Sequence, residues 1–406
     1  MKEKRKFKYN VTLWIVIGLA LGIVVGLVMP DFMYTPLSVV ATIYMSALRM
    51  MIYPLVFCSL VMGIVGIGNI TKTGKIGLHA LLWYVGTTFF ASFLGLILPK
   101  ILHLGEGANI VSTGAEVEAA TFGGLLDTVT SILPSNPIVS FVEGNMLQIL
   151  AFAVIIGLAC LSLKEKAQPV VDLCGAVNDI SILVVSKVMM CTPVGVFCCI
   201  ATVMYSNGVS TMLELGQVML ALYITYALYA ILIYGGMVKL VGKMSPVKFF
   251  KGVAPAALNA FGTCSSSATI PISMKCATEN LEVPEEISSL TLPLGATINM
   301  DAVSIVMSFM ITFFASACGI PLTTGTMITI LACNVLLSIG TPGVPGGAIA
   351  AFAALAPIAG LPVSTILGVY IAVNTLADMG ATCVNVLGDL ACTTVMKYTL
   401  RKETGK

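Results

Sequence analysis

Charge is what this chain has least of. Only 10% of its residues are Asp, Glu, Lys or Arg, 58% are hydrophobic, and mean hydropathy is +1.00. An ordinary soluble domain carries roughly 25% charged residues, so the scarcity excludes that class. The apolar runs are too many for a leader peptide followed by a globular domain, and each exceeds the roughly 20 residues that cross a hydrocarbon core. Histidine is limited to His79 and His103, which join no cluster of other ligands, so a transition-metal site is not expected. The twelve cysteines lie scattered in apolar sequence without CxxC spacing or a disulfide framework and read as small packing residues. Arginine is missing altogether between Arg49 and Arg401. That stretch therefore lacks the one side chain that grips a carboxylate through two parallel hydrogen bonds.

What is present is a polytopic membrane pattern. Basic residues cluster at Lys2 to Lys8, Lys72 and Lys75, Lys164 and Lys166, Lys239 to Lys251, and Lys397 to Lys406. The connections near Asp31, Gly105 to Ala120 and Ser206 to Gly216 have none. The positive-inside rule then puts the lysine-bearing loops and both termini in the cytoplasm. Six spans are expected at 11–29, 36–68, 76–103, 136–162, 170–204 and 212–240.

The last third departs from that pattern. Four apolar segments, 252–275, 288–318, 323–358 and 362–396, separate Lys251 from Lys397. Charge parity allows four spans or two spans plus two re-entrant hairpins. Composition chooses the hairpins: GTCSSSATIPIS (262–273) and SIGTPGVPGG (338–347) hold prolines and glycines that open a helix. Freed backbone at that depth is stable only where protein or a wet cavity covers it.

The final segment carries a polar stripe. At roughly 100° per residue, Asp378, Thr382, Asn385 and Asp389 fall within about 60° of one another, with Asn374 one turn above. A carboxylate near mid-bilayer costs on the order of 2.5–3.5 kcal/mol on insertion scales, so the stripe faces protein or a cavity. Interhelical hydrogen bonding is the bland alternative, but two carboxylates on one face call for cations. LPLGATINMDAVS (292–304) offers a partner, because Asn299 and Asp301 add oxygens where Gly295 and Thr297 favour an unwound helix. Amide, carboxylate and carbonyl oxygens are hard donors suited to an alkali cation.

The serine run Ser265, Ser266, Ser267 followed by ATIP, the NMD at 299–301, the SIGTPGVPGG loop and the DMGATCVNVLGD helix (378–389) occur in that order. Together they resemble the dicarboxylate/amino acid:cation symporter family, which includes glutamate and neutral amino acid transporters. The resemblance spans nearly the whole chain. It implies an all-α polytopic membrane protein with eight transmembrane helices plus two re-entrant helical hairpins, built from inverted repeats and assembled as homotrimers. It also implies a static scaffold domain, 1–75 and 104–205, carrying spans 1, 2, 4 and 5. A transport domain, 76–103 and 206–406, would slide across the membrane as an elevator and hold span 3, span 6, the first hairpin, span 7, the second hairpin and span 8.

Carried over residue by residue, the resemblance implies three sodium sites. One uses carbonyls of Gly295, Asn299 and Asn385 with the carboxylate of Asp389. A second uses Tyr84, Thr87 and Thr88 of the third span, where WYVGTT (83–88) matches the family pattern, with Asn299 and Asp301. The third uses carbonyls of Thr297, Ser338, Ile339 and Thr341 and closes only when the second hairpin lies down.

Substrate expectations rest on departures from the family pattern. Where acidic-substrate members have an arginine in the last helix, this chain has Ala381, and Cys264 stands where some members keep an arginine before the serines. Val303 replaces a usual threonine and Asn374 a usual aspartate. Asp378 is kept at the position that binds the substrate's α-ammonium in this family. The α-carboxylate would be held by Asn385, by Ser266 or Ser267 with backbone N–H groups of the first hairpin, and by Thr382. Gly343, Val344 and Gly346 would bring the second hairpin over the substrate as a lid. The side-chain pocket of Ala381, Val303, Cys264 and Thr382 is small and nearly neutral. Alanine, serine, threonine or cysteine is expected, with methionine as the variant that uses the space at Ala381.

The function expected is therefore sodium-coupled uptake of a small neutral L-amino acid across a bacterial inner membrane, with three sodium ions per cycle. A sodium-dependent neutral amino acid exchanger would share the pocket, and a proton-coupled or acidic amino acid symporter is the other transporter reading. An intramembrane aspartyl protease is the rival from another class; its GxGD signature is absent, since Asp389 follows Val386, Leu387 and Gly388. The basic ends suit anionic lipid headgroups, and neither end resembles a nucleic-acid module.

Overall fold

Apolar chain with no water beside it must satisfy its own backbone, and helices do this within one segment. The computed structural model describes residues 11–72, 75–106, 133–341, 343 and 347–404, and every regular element among them is helical. The basic stretch Lys2 to Lys8, the expected loop from 107 to Ala120, Val344, Gly346 and Lys406 lie outside the described residues. Six helical stretches are long and apolar enough to cross a membrane: Asp31–Gly66, Leu78–Ile101, Gln148–Met189, Leu213–Leu240, Glu285–Ala317 and Ile366–Thr399. Shorter apolar helices include Ile17–Val28, Thr192–Ser206, Thr324–Gly340 and Gly347–Ala359.

The N-terminal half is more broken than its hydropathy predicts. After α1 (Val11–Val28), the expected span 36–68 is two helices, α2 (Asp31–Arg49) and α3 (Ile52–Lys72). Pro54, in the first turn of α3, has no N–H to continue the helix before it. α4 (Lys75–Ile101) is continuous. The segment 136–162 divides into α5 (Pro137–Glu143) and α6 (Met146–Leu163) at Gly144, whose φ of 70° only glycine adopts without penalty. Asn145 then caps α6, its Oδ1 accepting from the Gln148 N–H at 3.3 Å. The segment 170–204 divides at Met190 and Cys191 between α7 (Gln168–Met189) and α8 (Thr192–Tyr229), where Pro193 occupies the first turn. The connection expected at Ser206 to Gly216 is a tight one: α8 is two helices that meet at a kink at Gly208 (φ 73°).

α1 lies directly on α8. Gly18, Gly22 and Gly26 recur every fourth residue, and a Cβ on Gly22 would stand 2.8 Å from the Phe197 carbonyl oxygen. This small-residue spacing lets two backbones approach in lipid, where apolar side chains gain nothing by leaving the hydrocarbon.

In the C-terminal half, α8 passes through a π-helical turn (Ala230–Tyr234) into α9 (Gly235–Leu240). The helix α10 (Pro246–Thr263) stops at Cys264, in the left-handed region, and α11 (Ser266–Lys275) restarts behind it. α12 (Glu285–Ile298) and α13 (Asp301–Ala317) are separated by the non-helical Asn299 and Met300, the unwinding expected at NMD. α14 (Thr324–Gly340) and α15 (Gly347–Leu355) flank the glycine- and proline-rich loop, and α16 (Val363–Thr404) closes the described chain as one long helix. α4, remote in sequence, packs on α13 and α16. An aromatic chain stitches this half together: Phe314 meets Phe352 at 5.8 Å between centroids, and Phe352 stacks on Tyr370 at 4.0 Å.

Candidate functional site

The unwound Asn299 and Met300 stand opposite the polar stripe of α16, and α16 side chains hold the break open. Asn385 Oδ1 accepts from the Ala302 N–H at 2.8 Å, and Asn385 Nδ2 donates to the Met300 thioether at 3.3 Å. A backbone donor that the broken helix leaves without a carbonyl is thereby satisfied by a side chain. Asn299 Nδ2 donates to Asp389 Oδ1 at 2.9 Å, while the Asn299 N–H caps α12 on the Gly295 carbonyl at 2.8 Å. Gly295 has room for nothing larger, because a Cβ there would run into the Asp389 carboxylate. The structure thus brings Gly295, Asn299, Asn385 and Asp389 together from two helices.

Asp301 is fully buried and is met by hydroxyls from two other helices. Thr88 on α4 donates to Asp301 Oδ1 at 2.6 Å. Tyr234 and Tyr229 donate to Oδ2 at 2.8 and 3.2 Å. Thr87 Oγ1 donates to the Tyr84 carbonyl at 3.1 Å, whereas the Tyr84 hydroxyl points elsewhere, to the Thr291 carbonyl at 2.9 Å. Any part Tyr84 takes in ion binding therefore falls to its backbone oxygen. Among the described residues, nothing donates to Asn299 Oδ1, although it is buried. A buried amide oxygen without a donor is costly, and a cation between Asn299 and the two carboxylates removes that cost.

Thr297, Ile339 and Thr341 line one cavity of about 290 Å³, together with Ser267, Gly343 and Asn178 of α7. Ser338 is buried one turn before, its carbonyl accepting from the Thr341 N–H at a long 3.4 Å. The breaks after α10 and after α14 meet beside this cavity: the Gly343 carbonyl accepts from Ser265 Oγ at 3.1 Å and from the Ser267 N–H at 3.4 Å. Gly343 is pressed against Met300 and the Ala296 carbonyl, and a Cβ there would lie 3.3 Å from Met300 Cε. Gly343 thus lies against α12 and the unwound Met300, while Val344 and Gly346 lie outside the described residues.

Further along α16, Asp378 and Thr382 are buried and hydrogen-bonded side chain to side chain at 3.5 Å. Tyr223 and Tyr226 of α8 fix the backbone just before them, donating to the Leu376 carbonyl at 2.7 Å and the Ala377 carbonyl at 3.3 Å. Ala381, Val303 and Cys264 are all buried, and Cys264 lies within electrostatic reach of Asp378. Ser266 is buried at the start of α11, behind Ser265, whose Oγ accepts from the Ala268 N–H at 3.2 Å. Asn374 Oδ1 is buried and accepts no hydrogen bond among the described residues.

Sequence reasoning missed the two tyrosines on Asp301. Residues five apart on an α-helix point about 140° away from each other, so Tyr229 and Tyr234 show no shared face; the wider π-turn between them turns both rings inward. It also missed a polar knot one turn along: Asn334 Nδ2 donates to Ser308 Oγ at 2.7 Å and Ser92 Oγ at 2.9 Å, tying α14 to α13 and α4. Serines four apart on an apolar helix were the available signal.

Comparison with known proteins agrees with this architecture. The sequence profile of the sodium:dicarboxylate symporter family matches residues 11–399. A Bacillus subtilis protein named "Proton/sodium-glutamate symport protein" is 30% identical over 402 residues, covering 97% of this chain and 93% of the relative. A Laribacter hongkongensis protein named "C4-dicarboxylate transport protein" is 29% identical over 402 residues, with 97% and 90% covered. A Geobacillus stearothermophilus protein also named "Proton/sodium-glutamate symport protein" is 28% identical over 395 residues, with 94% and 92% covered.

Proposed function

This chain belongs to the sodium:dicarboxylate symporter family, and from that premise we propose that it takes up a small neutral amino acid together with sodium. The observation that carries the substrate class is a single carboxylate, Asp378, beside buried positions that are all uncharged. Asp378 is present for an α-ammonium, while the buried Ala381, Val303 and Cys264 offer nothing to a second carboxylate. No arginine stands between Arg49 and Arg401, and burying an unpaired carboxylate is prohibitive. The buried Asn374 Oδ1, short of a donor, suits a substrate carrying a hydroxyl, as serine and threonine do.

Sodium is a co-substrate in this reading. Asp389 with Gly295, Asn299 and Asn385 would hold one ion, Asp301 with Thr87, Thr88, Asn299 and the Tyr84 carbonyl a second, and the carbonyls of Thr297, Ser338, Ile339 and Thr341 a third. Ions arriving first neutralise the two carboxylates and order the break at Asn299, so substrate meets a finished pocket. Each ligand then raises the other's affinity by the same factor. Three sodium ions with one zwitterion move three charges, and at about 2.3 kcal/mol per charge per 100 mV the membrane potential contributes about 7 kcal/mol at that voltage. Residues 76–103 and 206–406 would form the moving body and 1–75 with 104–205 the scaffold, in a homotrimer of the bacterial inner membrane with both termini cytoplasmic.

The names of the relatives, glutamate and C4-dicarboxylate transport, favour a second reading with an acidic substrate. Uptake of labelled alanine and serine into proteoliposomes under an inward sodium gradient, competed by unlabelled aspartate, glutamate and succinate, separates the two. The proposal expects sodium-driven accumulation and a current, with the acidic competitors inert. Uptake blocked by aspartate or succinate at low concentration supports the second reading. A signal that requires an amino acid preloaded in the lumen identifies an exchanger, and accumulation driven by a proton gradient alone removes sodium.

A further inference from the structure

Tyr229 and Tyr234 stand outside every residue that the family resemblance assigns to a cation site, yet both phenols end on the same oxygen of Asp301. An ionised carboxylate offers about four lone-pair positions. Tyr234 at 2.8 Å and Tyr229 at 3.2 Å both meet Oδ2, whereas among the described residues the hydrogen bond on Oδ1 comes from Thr88, at 2.6 Å. Thr88 can turn its hydroxyl oxygen onto an ion and hand its position on Oδ1 back; Oδ2 has no such freedom.

The local fold is built around this arrangement. The π-helical turn Ala230–Tyr234 puts two residues five apart on one side, and their fully buried rings pack edge to face at 5.2 Å. Such turns are rare and occur mostly where function needs them. The Tyr229 hydroxyl has one proton for two acceptors, the Thr87 carbonyl at 2.7 Å and Asp301 Oδ2 at 3.2 Å, and by sharing it ties the carboxylate to the residue next to Thr88. Tyr234 reaches Asp301 past Gly388, where a Cβ would stand 2.5 Å from the phenol oxygen and 2.8 Å from Asn299 Nδ2. Its hydroxyl is thereby wedged between the Asp301 carboxylate and the Asn299–Asp389 pair.

We propose that Tyr229 and Tyr234 are positioning residues for the ion at Asp301: by pinning Oδ2 from the π-turn they hold the carboxylate so that Oδ1, beside Thr88, is the oxygen offered to sodium. This rests on the sodium reading above. Groups that orient a ligand of a metal ion typically change affinity by ten- to a hundredfold when removed.

The test uses the full chain in detergent or nanodiscs, without amino acid, and follows thermal unfolding as sodium chloride replaces choline chloride. In Tyr234→Phe and in Tyr229→Phe the sodium concentration giving half the stabilisation rises about tenfold, while the melting temperature in choline alone stays near that of the wild type. A merely structural role moves the choline value instead. The inference is overturned if both variants keep the wild-type sodium midpoint, or if the midpoint moves only in step with the choline value. Should Tyr234→Phe fail to fold, Tyr229→Phe decides alone, since the Thr87 carbonyl, inside α4, and Asp301, on Thr88 and Tyr234, each keep another partner in it. A wild type indifferent to sodium removes the sodium reading and this inference together, whereas a sodium-responsive wild type beside variants with the same sodium midpoint removes this inference only.

Discussion

Two spans of nearly equal hydropathy behave in opposite ways. An 18-residue apolar window of Gln148–Met189 has a mean hydropathy of 1.8 and 28% of it is buried within the protein; the corresponding window of Glu285–Ala317 has 1.7 and is 100% buried. Apolarity marks both for the membrane and says nothing about which surface each meets. What separates them is how they treat polar groups. The first breaks between α6 and α7 at the exposed, charged Lys164, Glu165 and Lys166 and turns Leu158 and Leu183 outward. The second is interrupted at Asn299 and Met300, and its Asn299 and Asp301 find partners on three other helices. A broken backbone and a buried carboxylate are stable only inside protein, so the span carrying them had to be the central one.

The sharpest test of that contrast is Asp301→Asn. Taking one member from a buried charged cluster costs about 3–5 kcal/mol, so sodium-driven uptake in proteoliposomes should fall by a hundredfold or more; uptake within threefold of wild type contradicts a role for this carboxylate. Next comes Ala381→Arg, which puts a guanidinium near Asp378 and Thr382. Alanine and serine uptake should be lost and labelled aspartate binding gained, and a variant that still prefers alanine shows that Ala381 does not face the substrate. Gly295→Ala drives a methyl toward the Asp389 carboxylate; a tenfold weaker sodium midpoint in thermal unfolding is expected, with amino-acid affinity at saturating sodium little changed. Last, Leu183→Ala, on a side chain that is 59% exposed, should leave uptake unaltered and stability within about 0.5 kcal/mol. A large effect there means that this face of α7 is covered by another chain rather than by lipid.

Much of the molecule was legible from residues alone because lipid leaves few choices. The scarcity of charge, the lengths of the apolar runs and the prolines and glycines at 262–273 and 338–347 dictate helices and breaks, and the breaks at Cys264, at Asn299 and after Gly340 fall where composition placed them. The stripe from Asn374 to Asp389 follows from helical period, and all five of its residues are buried on α16. The interruptions at Met50, Gly144 and Cys191 were less visible, since a short break in an apolar run barely alters its mean hydropathy.

Sequence by itself determined the class, the positions of the large breaks and the one polar face of the last helix, because each follows from local backbone chemistry and periodicity. Only the tertiary structure decided which oxygens meet: Thr88 with Asp301 across 213 residues, Asn299 with Asp389 across 90, and the two phenols that a π-turn swings onto one carboxylate. Contacts between remote helices depend on how whole helices pack and on backbone turns wider than the α period, and neither is written in the order of residues along a single segment.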